Sequence, residues 1–148
     1  MIRRLGLVIA AGLLLASCGT ISPREATKKW ADTTKLPAAF HNLKDDLDRT
    51  VLYLGRTERD AVELRTLCRV LSLDLHKMND SLPSPDAQGN ELLADGLDTL
   101  SQGTALCASA TSASPVEPIR AKLREGFGGV YFGALRIWSV AGLSSQPH

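Results

Sequence analysis

The chain has 148 residues, of which 17 are lysine or arginine and 16 are aspartate or glutamate, so its formal net charge is +1 at pH 7. This length predicts one domain with a single hydrophobic core. Because nucleic-acid binding depends on neutralising phosphate charge, a chain without a basic excess is not expected to bind nucleic acid.

The N-terminal residues have the pattern of an export signal. Arg3 and Arg4 form a positive segment before an apolar run over residues 5–15. This run has the length of a signal-peptide core and is shorter than the roughly 20 residues that span a bilayer. It ends in Leu15-Ala16-Ser17-Cys18, which resembles the lipobox of bacterial lipoproteins. The alternative is a plain secretory signal, in which Cys18 has no special role.

The resemblance to bacterial lipoproteins implies a membrane anchor at Cys18. In that family a peptidase removes the signal peptide, here residues 1–17, and the cysteine carries acyl groups such as palmitate. Residues 18–22 would then form a lipidated tether. Gly19 is not the aspartate that retains such proteins at the inner membrane. The resemblance therefore implies an outer-membrane location in a host with two membranes, and the outer face of the cell membrane otherwise.

The expected mature protein consists of a helical bundle domain over residues 23–143 and a C-terminal tail over residues 144–148. Without Arg3 and Arg4 it has 15 basic against 16 acidic side chains. This balance does not supply a polybasic patch as a second membrane contact. The acyl groups on Cys18 are therefore the expected link to the membrane.

Two further cysteines bear on stability. Cys68 and Cys107 are expected to form a disulfide, because an exported protein folds in an oxidising compartment. Two unpaired thiols buried in the core are the alternative. A metal site is disfavoured, since two cysteines without histidines at ligand spacing do not complete a tetrahedral set.

Apolar periodicity predicts an all-α fold, a small helical bundle of three to four helices with one inter-helix disulfide. The first helix has a capping-box pattern over residues 22–25 and is expected to end before Pro37. Continuity of the next apolar stripe favours one helix over residues 38–82, whereas compactness favours two helices that meet near Gly55. We expect the break. The stripe recurs every seven residues at Phe40, Leu47, Leu54, Ala61, Cys68, Leu75 and Leu82.

A turn over residues 83–89 is expected to precede a helix over residues 90–109. If this helix and the one before it form an antiparallel hairpin, Cys68 and Cys107 lie level within about 3 Å along the helix axis. Both cysteines lie on apolar stripes. The helical register therefore predicts the same disulfide that we expect from export to an oxidising compartment.

The last helix is predicted to begin at Pro118. Its unusual feature is the glycine content, since each glycine costs roughly 0.8 to 1 kcal/mol in a helix relative to alanine. Gly129 and Gly133 have the Gly-xxx-Gly spacing that lets helix backbones approach closely, and we expect close helix packing there. A kink near residues 126–129 and a docking groove for an outside helix are the alternatives. The glycines are Gly126, Gly128, Gly129 and Gly133.

The remaining polar and aromatic residues favour structural interpretations. Trp30 and Trp138 lie on apolar stripes and are expected in the core. The three histidines lack a second ligand at metal spacing, so neither a metal nor a cofactor is expected. An acidic cluster alternates with basic residues, which is typical of a solvated helix face. The histidines are His41, His76 and His148, and the acidic residues are Asp45, Asp46, Asp48, Glu58 and Asp60.

No catalytic motif is present. The sequence contains no nucleophile elbow, no phosphate-binding glycine loop and no haem-attachment motif, so we expect a protein that is not an enzyme. The expected role is that of a binding or assembly factor with a protein partner in the cell envelope. Small size, helices, one disulfide and a lipidated cysteine resemble, in outline, the helical pilotins of type II secretion. The alternative is a surface-shielding or phage-exclusion lipoprotein.

Overall fold

A computed structural model describes residues 21–143. Over that range the chain forms five α-helices and no strand, so the all-α prediction is confirmed and the expected number of three to four helices was wrong. The predicted signal peptide, Cys18, Gly19 and the tail over residues 144–148 lie outside the described residues. The helices are α1 (Pro23–Thr33), α2 (Leu36–Leu54), α3 (Ala61–Asn79), α4 (Ala87–Ala108) and α5 (Glu117–Ala141).

A break separates α1 from α2. The Ser22 hydroxyl accepts a hydrogen bond from the Glu25 amide at 3.2 Å, and the Glu25 carboxylate accepts one from the Ser22 amide at 3.1 Å, so α1 begins with the predicted capping box. It ends at Thr33, because Lys35 adopts a left-handed conformation with φ of 52°, which interrupts a right-handed helix. Pro37 lies in the first turn of α2, where its missing amide hydrogen breaks no helical bond.

A second break separates α2 from α3, as expected near Gly55. The Tyr53 hydroxyl accepts a hydrogen bond from the Asp60 amide at 2.8 Å. The Asp60 carboxylate then caps α3 by accepting from the amides of Val62 and Glu63 at 2.6 and 3.0 Å. Because these bonds satisfy amides that a helix start leaves open, the chain can reverse here and begin a new helix.

Helices α2 to α5 form an antiparallel four-helix bundle, and α1 covers one of its ends. The Trp30 indole donates a hydrogen bond to the Ser81 carbonyl at 2.9 Å, just beyond the end of α3. Arg24 lies against Gly142, just beyond the end of α5. Ala31 is completely buried. The beginning of the described chain therefore lies at the end of the bundle where α3 and α5 terminate.

A disulfide joins Cys68 on α3 to Cys107 on α4, so the predicted pairing is confirmed. The two Cα atoms are 5.8 Å apart, within the normal range for disulfides, and both residues are at most 1% exposed. The turn before α4 lies three residues earlier than predicted, over residues 80–86. The Asp86 carboxylate accepts a hydrogen bond from the Gly89 amide at 2.8 Å, which caps the helix, and α4 begins at Ala87.

Helices α4 and α5 make the closest contact in the bundle. Helix α5 is continuous from Glu117 to Ala141, so no unwound segment interrupts its glycines. A Cβ atom placed on Gly133 would lie 2.6 Å from the Leu93 amide nitrogen. Real Cβ atoms do not make such contacts, so the two backbones can approach this closely only where a side chain is missing.

Candidate functional site

Helices α2 and α5 are neighbours in the bundle that make little backbone contact with each other. Aromatic rings, rather than backbone contact, fill the space between these helices. The Phe40 ring of α2 lies 5.6 Å from Phe127, 6.2 Å from Tyr131 and 5.5 Å from Trp138, measured between ring centroids. Such tilted and edge-on pairs are favourable. Because rings hold α2 and α5 apart, a depression remains between them at the surface.

This depression, the α2/α5 groove, has a volume of about 540 Å³. Its surface is mostly apolar, and the Phe132 side chain at its edge is 61% exposed. Exposed aromatic residues are unusual on a surface that has no partner, since aromatic side chains are enriched at protein interfaces. The lining residues are Leu47, Asp48, Val51, Arg124, Phe127, Gly128, Tyr131 and Phe132.

Adjacent glycines of α5 lie on different sides of the helix. A Cβ atom on Gly128 would have no neighbour within 4 Å, whereas one on Gly129 would lie 2.8 Å from the Gly96 Cα atom of α4. Gly129 and Gly133 thus belong to the α4 contact, and Gly128 belongs to the α2/α5 groove. The missing side chain at Gly128 leaves open space in the floor of the groove.

Some of the charged side chains around the groove form ion pairs, and one does not. Lys44 donates to Asp48 at 3.0 Å, which neutralises the carboxylate on the α2 side. On α5, Lys122 pairs with Glu125 at 3.0 Å. Arg124 is exposed and has no hydrogen bond or ion pair with any group in residues 21–143. The groove therefore carries one positive charge that no carboxylate within this range balances.

A second polar feature lies between α2 and α3. The carboxyl groups of Asp46 and Asp74 meet there, and their side chains are only 16% and 9% exposed. Burial, together with the adjacent Asp74 carboxyl, raises the pKa of Asp46 above its ordinary value. Arg49 donates to Asp46 at 3.3 Å and Lys77 donates to Asp74 at 2.8 Å. The prediction that Asp46 belongs to a solvated face was therefore wrong.

The other predicted residues occupy ordinary positions. Trp138 is buried and Trp30 is partly buried, as expected of core residues. His41 and His76 are exposed. In the described part of the chain there is no group of three or more potential metal ligands. We also find no helix with the length and hydropathy of a membrane span between residues 21 and 143.

Comparison with protein-family models, with curated proteins and with solved structures finds no match to this chain.

Sequence reasoning missed two of these features, although each left a signal. Gly89, Gly96 and Gly103 recur every seven residues along α4 and are all buried, a repeat that places them on one face of the helix. Asp74 lies within the apolar stripe of α3, between Leu71 and Met78, where a carboxylate is unexpected. The groove has no such local signal, because it arises from two helices that are distant in sequence.

Proposed function

We propose that this protein is a lipid-anchored, extracytoplasmic binding factor of the cell envelope that holds a helical segment of a partner protein in the α2/α5 groove. The observation that carries the proposal is the groove itself, which combines an apolar lining with the exposed ring of Phe132. An exposed aromatic ring at the edge of an apolar depression is typical of protein-binding sites, where aromatic side chains are enriched. A depression between two antiparallel helices that lie side by side can hold an amphipathic helix.

The position of the groove agrees with anchoring at Cys18. Residues 18–22 reach at most about 18 Å when extended, so the end of the bundle covered by α1 would lie near the membrane. The groove residues of α5, from Arg124 to Phe132, lie 9 to 17 positions before Ala141, which corresponds to about 14–26 Å along the helix. The groove would then open sideways, beyond the lipid headgroups, where another envelope protein can reach it.

Two measurements test the proposal. The Cys18→Ala variant should move from the membrane fraction to the extracytoplasmic soluble fraction, and mass spectrometry of the native protein should find acyl groups on Cys18. A photoreactive amino acid at Phe132 should crosslink one envelope protein in cells. The matched control is the same probe at Leu106, which is also exposed but lies on α4.

The outcomes separate the two parts of the proposal. A native protein that begins at Met1 with an unmodified thiol would refute the anchor. Identical crosslinked products from positions 132 and 106 would refute the groove as the binding site. A change in phage sensitivity on expression, without any crosslink at Phe132, would favour surface shielding instead.

A further inference from the structure

The α2/α5 groove has the dimensions of a short helix. Its α5 wall runs from Arg124 to Phe132, which spans about 12 Å, or slightly more than two helical turns. The α2 wall is formed by Leu47, Asp48 and Val51. A partner helix that follows the groove would contact it through apolar side chains on one face, spaced three and four residues apart.

The α2/α5 groove has open space at Gly128 that can hold one side chain of a partner. A Cβ atom on Gly128 would meet no atom within 4 Å, and Phe127, Tyr131 and Phe132 line the same depression. The ring centroids of Phe127 and Tyr131 lie 6.5 Å apart, and those of Tyr131 and Phe132 lie 5.8 Å apart, so the rings form a continuous aromatic surface. A large apolar side chain of the partner can therefore lie over Gly128 against this surface.

The charge of the groove distinguishes among amphipathic helices. Asp48 is already paired with Lys44, whereas Arg124 has no partner in residues 21–143. A cationic side chain on the partner would face uncompensated positive charge at Arg124, and a carboxylate would form a new ion pair there. Charge complementarity at the edge of an interface sets partner choice.

We propose that the α2/α5 groove selects a partner helix whose apolar face inserts a large side chain over Gly128 and whose flank carries an aspartate or glutamate that pairs with Arg124. This inference rests on the proposed binding function and specifies the chemistry of the partner. The groove supplies apolar contact, and Arg124 supplies the preference between acidic and basic helices.

Designed helical peptides test this selectivity on a soluble form of the protein that lacks the signal peptide and Cys18. This form contains residues 19–148 and keeps its disulfide. The probes are three 18-residue peptides with the same leucine face and with glutamate, glutamine or lysine at one flanking position. Fluorescence anisotropy gives their dissociation constants. We expect the glutamate peptide to bind about two- to fivefold more tightly than the glutamine peptide, as for one partly exposed ion pair, and the lysine peptide to bind most weakly.

Two variants assign the effect to the groove. Arg124→Glu should reverse the order of the glutamate and lysine peptides, and the difference should shrink at high salt because exposed charges are screened. Gly128→Leu places a Cβ atom where nothing lies within 4 Å, extends a side chain into the groove and should weaken all three peptides at least tenfold. Ala105→Leu, at an exposed position of α4, is the matched control and should leave the dissociation constants unchanged.

Several results would overturn the inference. Equal affinity for the glutamate and lysine peptides, the same order in Arg124→Glu, or no binding of any peptide would each do so. Sedimentation that shows a dimer of the wild-type domain, lost in Gly128→Leu, would assign the groove to a second copy of this chain. Crosslinking at Phe132 to an envelope protein through a basic helical segment would leave the proposed function standing while this inference fails.

Discussion

Gly96 of α4 and Gly129 of α5 face each other at the closest approach of two helices, where a Cβ atom on Gly129 would lie 2.8 Å from the Gly96 Cα atom. Gly133 repeats this arrangement one turn later against the backbone of Leu93. The α4–α5 pair is therefore held by backbone contact on one side of α5, while the opposite side of α5 forms the wall of the α2/α5 groove.

Substitution by alanine should have opposite effects at Gly96, which contacts α5, and at Gly128, which lies in the open groove. Gly96→Ala should destabilise the protein by about 1–3 kcal/mol or more, because the added methyl group collides with the backbone of α5. Gly128→Ala should stabilise it by about 0.4–1 kcal/mol, because alanine is the better helix former and the site is open. Chemical denaturation followed by circular dichroism measures both, and equal effects of the two substitutions would contradict the assigned contacts.

Removing the disulfide should cost a large part of the stability of the domain, since a typical domain is stable by about 5–15 kcal/mol. In the chain-entropy picture, a crosslink with a sequence separation of 39 residues contributes about 4 kcal/mol. The Cys68→Ala, Cys107→Ala double variant should therefore show a much lower denaturation midpoint than the oxidised wild type. Reduced wild type is the control, since it lacks the bond but keeps both sulfur atoms. Two alkylatable thiols at Cys68 and Cys107 in the native protein would contradict the bond.

The acid pair between α2 and α3 predicts that Asp46→Asn stabilises the protein at neutral pH. Burial and the Asp74 carboxyl raise the pKa of Asp46 above the ordinary value of 3.8. At pH values between 3.8 and the raised pKa, the folded state therefore holds a proton that the unfolded state has released. The contribution of Asp46 to stability falls as the pH rises through this range. An uncharged amide keeps a hydrogen bond to Asp74 at all pH values, which is worth about 0.5–1.5 kcal/mol.

Denaturation midpoints between pH 3 and pH 7 test this prediction. The advantage of Asp46→Asn over wild type should be largest at pH 7 and should disappear toward pH 3. The other charges that face the pair are Arg49 and Asp45 on α2 and Lys77 on α3. Asp95→Asn is the matched control, because Asp95 is exposed on α4 and is not among the charges that face the pair, and it should change little. Loss of stability in Asp46→Asn at pH 7 would show that the Arg49 ion pair outweighs the repulsion.

The docking of α1 depends on Trp30. Its indole donates to the Ser81 carbonyl at 2.9 Å, so Trp30→Phe should lower the stability by about 0.5–1.5 kcal/mol for the lost hydrogen bond, in addition to lost packing. Limited proteolysis should then cleave residues 21–35 faster than in the wild type. Trp138→Phe is the comparison, because the buried Trp138 indole has no hydrogen-bond partner within the described part of the chain. Unchanged cleavage in Trp30→Phe would contradict the proposed docking.

Much of the fold follows from local patterns in the sequence. The capping box at Ser22 and the cap at Asp60 each satisfy amides within three residues of the cap, and such short-range hydrogen bonds need no knowledge of the rest of the chain. Helical register also places Cys68 and Cys107 at the same level. The stated number of three to four helices was wrong, although the boundaries expected before Pro37 and near Gly55 already separate α1, α2 and α3. The left-handed conformation of Lys35, which ends α1, has no signal in the sequence.

The candidate site follows from the sequence only in part. The spacing of Gly129 and Gly133 predicts close packing, but Gly128 differs from them only in the side of α5 on which it lies. The sequence does not show that α4 packs on one side of α5 and α2 on the other. Likewise, Asp46 and Asp74 each have a cation on their own helix, and their mutual contact requires two helices to pack.

The sequence by itself therefore determined the all-α class, the capping box of α1 and the disulfide, because these depend on hydrogen bonds and periodicities within short stretches of the chain. Only the tertiary structure decided where the backbones of α4 and α5 touch and where Phe40 and Phe127 hold α2 and α5 apart. The distance between two helices depends on the side chains that both contribute to the same contact. The distance can therefore be inferred only when the helix that packs against each face is known. Small residues bring α4 close to one side of α5, and aromatic rings leave a groove on the other side.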